Sequence, residues 1–312
     1  MEDVIYKPEG TLLNTQENRE FTQSPAALER AKAAGKILEG RAVICDSGHN
    51  LIVDLGCMKG VIPREEAAMG IADGTVRDIA IITRVNKSVC FKVTNIIKQP
   101  DNSFLAVLSR KAAQEECKDF ILASFTSGDI VDARITHLEP FGAFADIGCG
   151  MVALISIDNI SVSRISHPRD RFMTGQPIKA IIKDVDRDAG RINLTHKELL
   201  GTWAENAAKF SPGQTVAGII RSIEEYGIFV ELTPNLAGLA EFKDGLKVGQ
   251  STAVYIKSII PEKMKVKLSV IDAFDNEFPM PKNNYFITSG KLSRWVYSPP
   301  ECDKIIETIF DS

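Results

Sequence analysis

Long apolar runs, paired cysteines and an excess of positive charge are all missing from this chain of 312 residues. No apolar run approaches the roughly 20 residues that a bilayer-spanning helix needs. The opening Met1-Glu-Asp-Val-Ile-Tyr-Lys7 lacks a basic region followed by an apolar stretch, so no signal peptide is expected. The six cysteines (Cys45, Cys57, Cys90, Cys117, Cys149 and Cys302) form no Cys-x-x-Cys pair. Reduced thiols in a cytoplasmic protein, four of them suited to core positions, is the simplest reading. His49, His137, His167 and His196 are scattered without Cys, Asp or Glu at metal-ligand spacing, so neither metal nor cofactor is expected. There is no phosphate loop with its lysine, no Gly-x-Ser-x-Gly and no His-x-x-x-His, which leaves an enzyme poorly supported. Asp184, Asp186 and Asp188 recur at two-residue spacing, but on one side of a predicted hairpin turn.

The net charge is −4, which excludes a strongly basic polyanion binder. Residues 34–118 hold 12 Lys+Arg against 10 Asp+Glu, residues 126–200 hold 9 against 10, and residues 211–274 hold 7 against 7. Residues 1–33 and 275–312 are −2 each. Any affinity for a polyanion must therefore come from local placement and from stacking. Aromatics make up only 7% of the chain, so the places where they recur carry information.

They recur in two versions of one phrase. Phe141-Gly-Ala-Phe-Ala-Asp-Ile147 returns 85 positions later as Tyr226-Gly-Ile-Phe-Val-Glu-Leu232. Alternate residues of a strand face opposite sides. Ala143, Ala145 and Ile147 would face a core, leaving Phe144 and Asp146 on the outer face. Ile228, Val230 and Leu232 repeat the inner phase, with Phe229 and Glu231 outside. Phe141 and Tyr226 have the wrong parity to join them, unless a bulge at Gly142 and Gly227 resets the phase.

The repeat extends on both sides. Gly128 and Val131 match Gly213 and Val216 at the same offset. Gly175-Gln176 and Leu194-Thr195 match Gly249-Gln250 and Leu268-Ser269 at an offset of 74, so the later copy has lost 11 residues from one loop. A weaker copy lies upstream, with Leu51-Ile-Val-Asp-Leu55 and a close at Leu108-Ser109-Arg-Lys111. Within it, residues 79–93 read as two β-rich runs about Asn86-Lys87, a hairpin.

Each copy reads as about five short strands without a long helix, the pattern of a small closed barrel. The expected fold is mainly β: three tandem five-stranded OB-type barrels joined by short helical linkers, with a small α+β C-terminal appendage. The expected order is an N-terminal tail and short helix over 1–33, a degenerate barrel over 34–111, a helical linker over 112–125 and a barrel over 126–196. A second linker over 197–210, a barrel over 211–274 and the appendage over 275–312 follow. Ser24-Pro25 predicts a helix start and Gly35 its end. The first twenty residues are polar and predicted to be mobile. Leu199, Leu200 and Trp203 share a face of the second linker, and an amphipathic helix is predicted from about residue 301.

Strand phase also assigns cations to the outer face. Ile192 and Leu194 turn inward, so Arg191, Asn193 and Thr195 turn outward. Val266 and Leu268 do the same for Lys265, Lys267 and Ser269. Lys183 and Lys257 occupy equivalent places in the preceding strands. Exposed rings beside Lys and Arg suit single-stranded nucleic acid, whose bases stack while the cations meet phosphates. Taken singly, each such cation reads more readily as an ordinary solvated surface group than as an RNA contact.

The second and third copies resemble the S1 RNA-binding domain, the oligonucleotide-binding barrel of bacterial ribosomal protein S1 and several ribonucleases. The resemblance rests on Phe141-Gly-Ala-Phe144 and Tyr226-Gly-Ile-Phe229, on Arg164-Ile-Ser-His-Pro168, and on Asp186-Arg-Asp-Ala-Gly-Arg-Ile-Asn-Leu-Thr195. The linker Leu200-Gly-Thr-Trp-Ala-Glu-Asn206 adds to it, and with the weaker first copy it covers about residues 34–274. It implies RNA contacts at Phe141, Phe144, Asp186 and Arg191, and at Tyr226, Phe229 and Lys265, to which strand phase adds Lys183 and Lys257. The family's third-strand histidine falls on Leu154 and Glu241, its aspartate on Pro261 in the third copy, and the first copy's aromatic positions hold His49 and Ile52. The implied function is non-catalytic binding of single-stranded RNA, chiefly mRNA, at or near the small ribosomal subunit in bacterial cytoplasm. The leading repeats of the family dock proteins, which fits the degenerate first copy. The alternative is an interaction module whose barrels have lost RNA binding, favoured by the acidic balance, Leu154 and Glu241.

Overall fold

The computed structural model describes residues 6–275 and 283–310. Residues 1–124 with 146–152 form one compact unit, and residues 125–145 with 153–312 form another.

The first unit opens with two helices, α1 (Gln16–Thr22) and α2 (Pro25–Ala33). Ser24 Oγ accepts from Ala27 N at 3.2 Å and Pro25 opens α2, as the Ser-Pro start predicts. A barrel follows from β1 (Ile37–Cys45), β2 (Leu51–Asp54) and β3 (Lys59–Ile62), then the helical turn α3 (Ile79–Ile82), β4 (Ser88–Lys98) and β5 (Phe104–Ser109). It closes in the order β1-β2-β3-β5-β4, because β1 pairs with both β2 and β4 while β3 runs parallel to β5. Helix α4 (Arg110–Ser124) carries the chain onward.

Three expectations are corrected here. Residues 79–93 are not a hairpin: only the second run is strand. Ile81 is buried while Ile79 and Ile82 are exposed, which a helical turn satisfies and a strand, burying 79 with 81, does not. The N-terminal tail is not mobile over residues 6–22; residues 1–5 lie outside the described residues. Glu9 is buried and holds Arg110 bidentately, with Nε–Oε1 at 2.7 Å and Nη2–Oε2 at 3.0 Å, and Arg84 Nη1 at 3.2 Å. Its backbone N–H donates to Asp146 Oδ2 at 2.7 Å. Burial is the largest influence on the Glu9 carboxyl and pushes it up, but the charge and hydrogen bonds of Arg110, the Arg84 charge and the Cys90 N–H together outweigh it, and the net direction is down. A buried arginine needs a carboxylate, and the tail supplies it. Three of the cysteines (Cys90, Cys117 and Cys149) are buried, not four.

The second unit holds two more barrels of the same topology. One is β6 (Ile130–Glu139), β7 (Gly142–Asp146), β8 (Val152–Ser156), β9 (Pro177–Asp186) and β10 (Arg191–Thr195). A short linker includes α5 (Trp203–Ala207), whose Thr202 and Glu205 form a reciprocal capping box. The other is β11 (Thr215–Glu224), β12 (Gly227–Thr233), β13 (Leu236–Ala240), β14 (Ser251–Ile260) and β15 (Lys265–Phe274). The 11 residues present in one copy and absent from the other lie in the loop after β8, and that loop docks onto the third barrel. Val162 N donates to Asn235 Oδ1 at 3.0 Å and Ser163 N to Pro234 O at 3.0 Å. Arg171 Nη2 reaches Glu231 Oε2 at 2.5 Å, and Arg221 Nε meets the same oxygen at 2.7 Å.

The C-terminal segment packs on the third barrel through Trp295, Tyr297 and Phe310. It is a two-stranded sheet, β16 (Arg294–Val296) with β17 (Glu307–Ile309), and the helix predicted from about 301 does not form. Pro299-Pro300 turns the chain, and Ser298 Oγ donates to Lys304 O at 2.7 Å and accepts from Ile306 N at 2.8 Å, so the segment returns as strand. Among the described residues no helix is long and apolar enough to cross a membrane.

Candidate nucleic-acid interface

Both aromatic phrases build the same object. In each barrel a two-residue turn, Pro140-Phe141 or Glu225-Tyr226, joins the first strand to the second. Phe141 and Phe144 meet edge to face, with centroids 6.0 Å apart and planes at 88°. Tyr226 and Phe229 meet at 6.1 Å and 87°. Phe141 is 56% exposed and Tyr226 70%, while Phe144 and Phe229 are half-buried. The predicted bulge at the glycine is not what unites them: the turn lifts the first ring out of strand parity. The glycines serve a close approach instead. A Cβ on Gly142 would lie 2.4 Å from Ile155 O, and one on Gly227 2.5 Å from Ala240 O.

The acids of the two phrases are not on a solvent face. Asp146 and Glu231 are both buried. Glu231 sits between Arg171 and Arg221. Asp146 accepts from Gly148 N at 2.8 Å, and its carboxyl is raised, by burial first and by the charge of Glu9 second. Thr195, expected outside, is also buried: its hydroxyl donates to Glu198 Oε2 at 2.6 Å.

The cations are placed by a device that pattern reading missed. Lys183 falls at a one-residue bulge, since Asn193 pairs with Asp184 and Leu194 with Ile182. Lys257 falls at the same bulge of the third barrel, between the pairs Ile256–Leu268 and Ser258–Lys267. The first barrel repeats it at Thr94. A bulge re-aims its side chain. Arg191 and Lys265 begin the last strands and are exposed. Among the described residues, Lys183, Arg191 and Lys265 form no ion pair, whereas Lys257 Nζ is held by Glu241 Oε1 at 2.8 Å. That pairing lowers the Glu241 carboxyl. Asp186 ends β9, where its Oδ1 accepts from Ala189 N at 2.9 Å and secures the turn.

In the third barrel these side chains line a groove of about 580 Å³ that contains Tyr226, Phe229, Leu239, Glu241, Lys257 and Lys265. Strand register corrects one equivalence. Leu154 pairs with Asn193 as Leu239 pairs with Lys267, so the counterpart of Glu241 is Ser156, not Leu154. His137 was also missed. Its ring stacks on Phe144 at 6.4 Å and 26°, and its Nε2 lies 2.5 Å from Glu139 Oε1. Its position on the strand facing Phe144 is the signal that would have found it. The first barrel has no ring pair. His49 lies in a longer turn at φ 61°, its Nδ1 3.7 Å from Asp78, and Ile52 faces an exposed Ile44 across the strands.

The family model for the S1 RNA binding domain matches residues 124–197. Small ribosomal subunit protein bS1 of Staphylococcus aureus strain COL is 29% identical over 284 residues, covering 86% of this chain and 70% of the relative. The bS1 protein of Staphylococcus saprophyticus subsp. saprophyticus is 30% identical over 187 residues, covering 55% of this chain and 47% of its own. A solved multidomain protein with nucleic acid binding domains from Streptococcus pneumoniae aligns with 80% of this chain and 76% of its own length, at 13% identity and a TM-score of 0.25. Residues 124–197 match the S1 RNA binding domain family, and the chain as a whole is similar to bacterial small ribosomal subunit protein bS1.

Proposed function

We propose that the chain binds single-stranded RNA without catalysis, through the second and third barrels, in translation at or near the small ribosomal subunit in the cytoplasm. mRNA is the strand this reading assigns. The observation that carries it is the duplicated ring pair: two edge-to-face aromatics with the same spacing and angle, each on a hairpin turn and each beside cations. Bases stack on such rings at roughly 1–3 kcal/mol each, which supplies affinity that a net charge of −4 does not. Phe141, Phe144, Lys183, Asp186 and Arg191 make up the second barrel's site, and Tyr226, Phe229, Lys257 and Lys265 the third's. Two weak sites in one chain raise each other's effective concentration. The boundaries given above, 126–196 and 211–274, are the proposed limits of these two barrels.

The test is affinity for short unstructured RNA with Phe144→Ala and Phe229→Ala combined. Loss of both rings should weaken binding by at least about tenfold, with circular dichroism unchanged. Unaltered affinity would remove the proposed face. The first barrel, with exposed Ile44 and Ile82 and no ring pair, favours a second reading for that part alone, as a protein-docking domain.

A further inference from the structure

We propose that Glu241 makes the third barrel selective for guanine, while the second barrel, with Ser156 in its place, accepts any base. This rests on the RNA-binding reading and assigns a base preference within it.

A base stacked on Tyr226 or Phe229 turns its face to the ring and its edge to whatever stands beside the ring. Glu241 stands there, in the same groove, with its side chain 82% exposed. A carboxylate only accepts hydrogen bonds. Guanine alone presents two adjacent donors on its Watson–Crick edge, N1–H and the 2-amino group, and these match the two oxygens of one carboxylate. Uracil sets its single N–H between two carbonyls. Adenine and cytosine each pair one amino donor with a ring nitrogen acceptor, whose lone pair would face the carboxylate. Splayed single-stranded bases are read on this edge.

Lys257 completes the device. Its Nζ holds Oε1 at 2.8 Å, which orients the carboxylate and keeps it ionised. Each carboxylate oxygen has two lone-pair sites, so Oε1 can serve Lys257 and guanine together. An anion in a groove that meets phosphates works against a purely electrostatic binder, and a base-reading role accounts for it. At the equivalent position the second barrel has a hydroxyl in place of the carboxylate. Ser156 Oγ is already taken up, accepting from Asn159 Nδ2 at 2.7 Å and bonding Asp158.

The test uses the full chain and short oligouridine strands into which isolated guanosines or inosines are placed. Inosine lacks the 2-amino group and so removes one of the two donors. Affinity is read by fluorescence anisotropy. Guanosine should be favoured over uridine by about fivefold, the low end for a bidentate contact in an open groove, and inosine should lose most of that gain. In Glu241→Gln the ratio of guanosine-strand to uridine-strand affinity should fall to near one, because the amide turns a donor toward the guanine donors. Binding of all strands with equal affinity would overturn guanine selectivity and leave RNA binding standing. A guanosine preference that survives Glu241→Gln would overturn the assignment to this residue. Binding to no strand at all would overturn both readings.

Discussion

Acid should loosen the second unit through one histidine. His196 is fully buried. Its Nδ1–H donates to Ile160 O at 2.9 Å, so its Nε2 accepts from the Tyr285 hydroxyl at 3.2 Å. That hydroxyl already accepts from Lys179 N at 3.1 Å and Asn283 Nδ2 at 3.2 Å. A proton on Nε2 would aim a third donor at the same oxygen. Burial, with the nearby Arg171 charge, lowers the imidazole from 6.5 to about 4. Between those values the folded ring is neutral and the unfolded one is protonated. Its contribution is therefore intact above pH 6.5 and is lost as pH falls toward 4. At about 1.36 kcal/mol per pH unit, the loss by pH 5 is about 2 kcal/mol. Urea unfolding at pH 7 and pH 5, read by tryptophan fluorescence, measures it cleanly. The two tryptophans, Trp203 and Trp295, are both buried in this unit. His196→Gln cannot titrate there, so its stability should change less between the two pH values, by about 2 kcal/mol. Equal losses in both proteins would refute the reasoning.

Three further outcomes follow from the same contacts. Glu231→Ala takes the carboxylate from buried Arg171 and leaves Arg221 only Asp170, at 3.4 Å, so it should cost about 3–5 kcal/mol in urea unfolding. Gly227→Ala drives a Cβ to 2.5 Å from Ala240 O at φ 147°, so it should destabilise the third barrel by on the order of 1–3 kcal/mol and weaken its RNA site. Calorimetry and the anisotropy assay would check the two effects together. The salt dependence of RNA binding should be shallow. With Lys183, Arg191 and Lys265 unpaired among the described residues, the slope of log K against log salt should be about −2 for a single strand, and a slope several times steeper would place the binding surface elsewhere.

The barrels were legible because strand phase and turn spacing are local properties. Leu51, Val53, Ile228 and Val230 are buried on the phase that alternation assigns. Helix α2 begins where Ser24-Pro25 placed it. The errors arose where a distant group decided the outcome. Asp146 and Glu231 have the strand parity of outer-face residues, yet partners far away in sequence cover them. The polar tail looks unstructured until Arg110 is seen to need Glu9. The segment after Pro300 has helical periodicity, but pairing with β16 turns it into strand.

By itself the sequence determined that one unit occurs three times, that the unit is a small barrel, and that two copies carry rings on a hairpin. Those follow from periodicity, which is written along the chain. Only the tertiary structure decided how each ring pair meets, because the turn sets the position of Phe141 and Tyr226. It alone showed that a bulge aims Lys183 and Lys257, and that Glu241 corresponds to Ser156. Register between strands is a property of pairs of segments, and a one-residue slip moves every side chain to the other face.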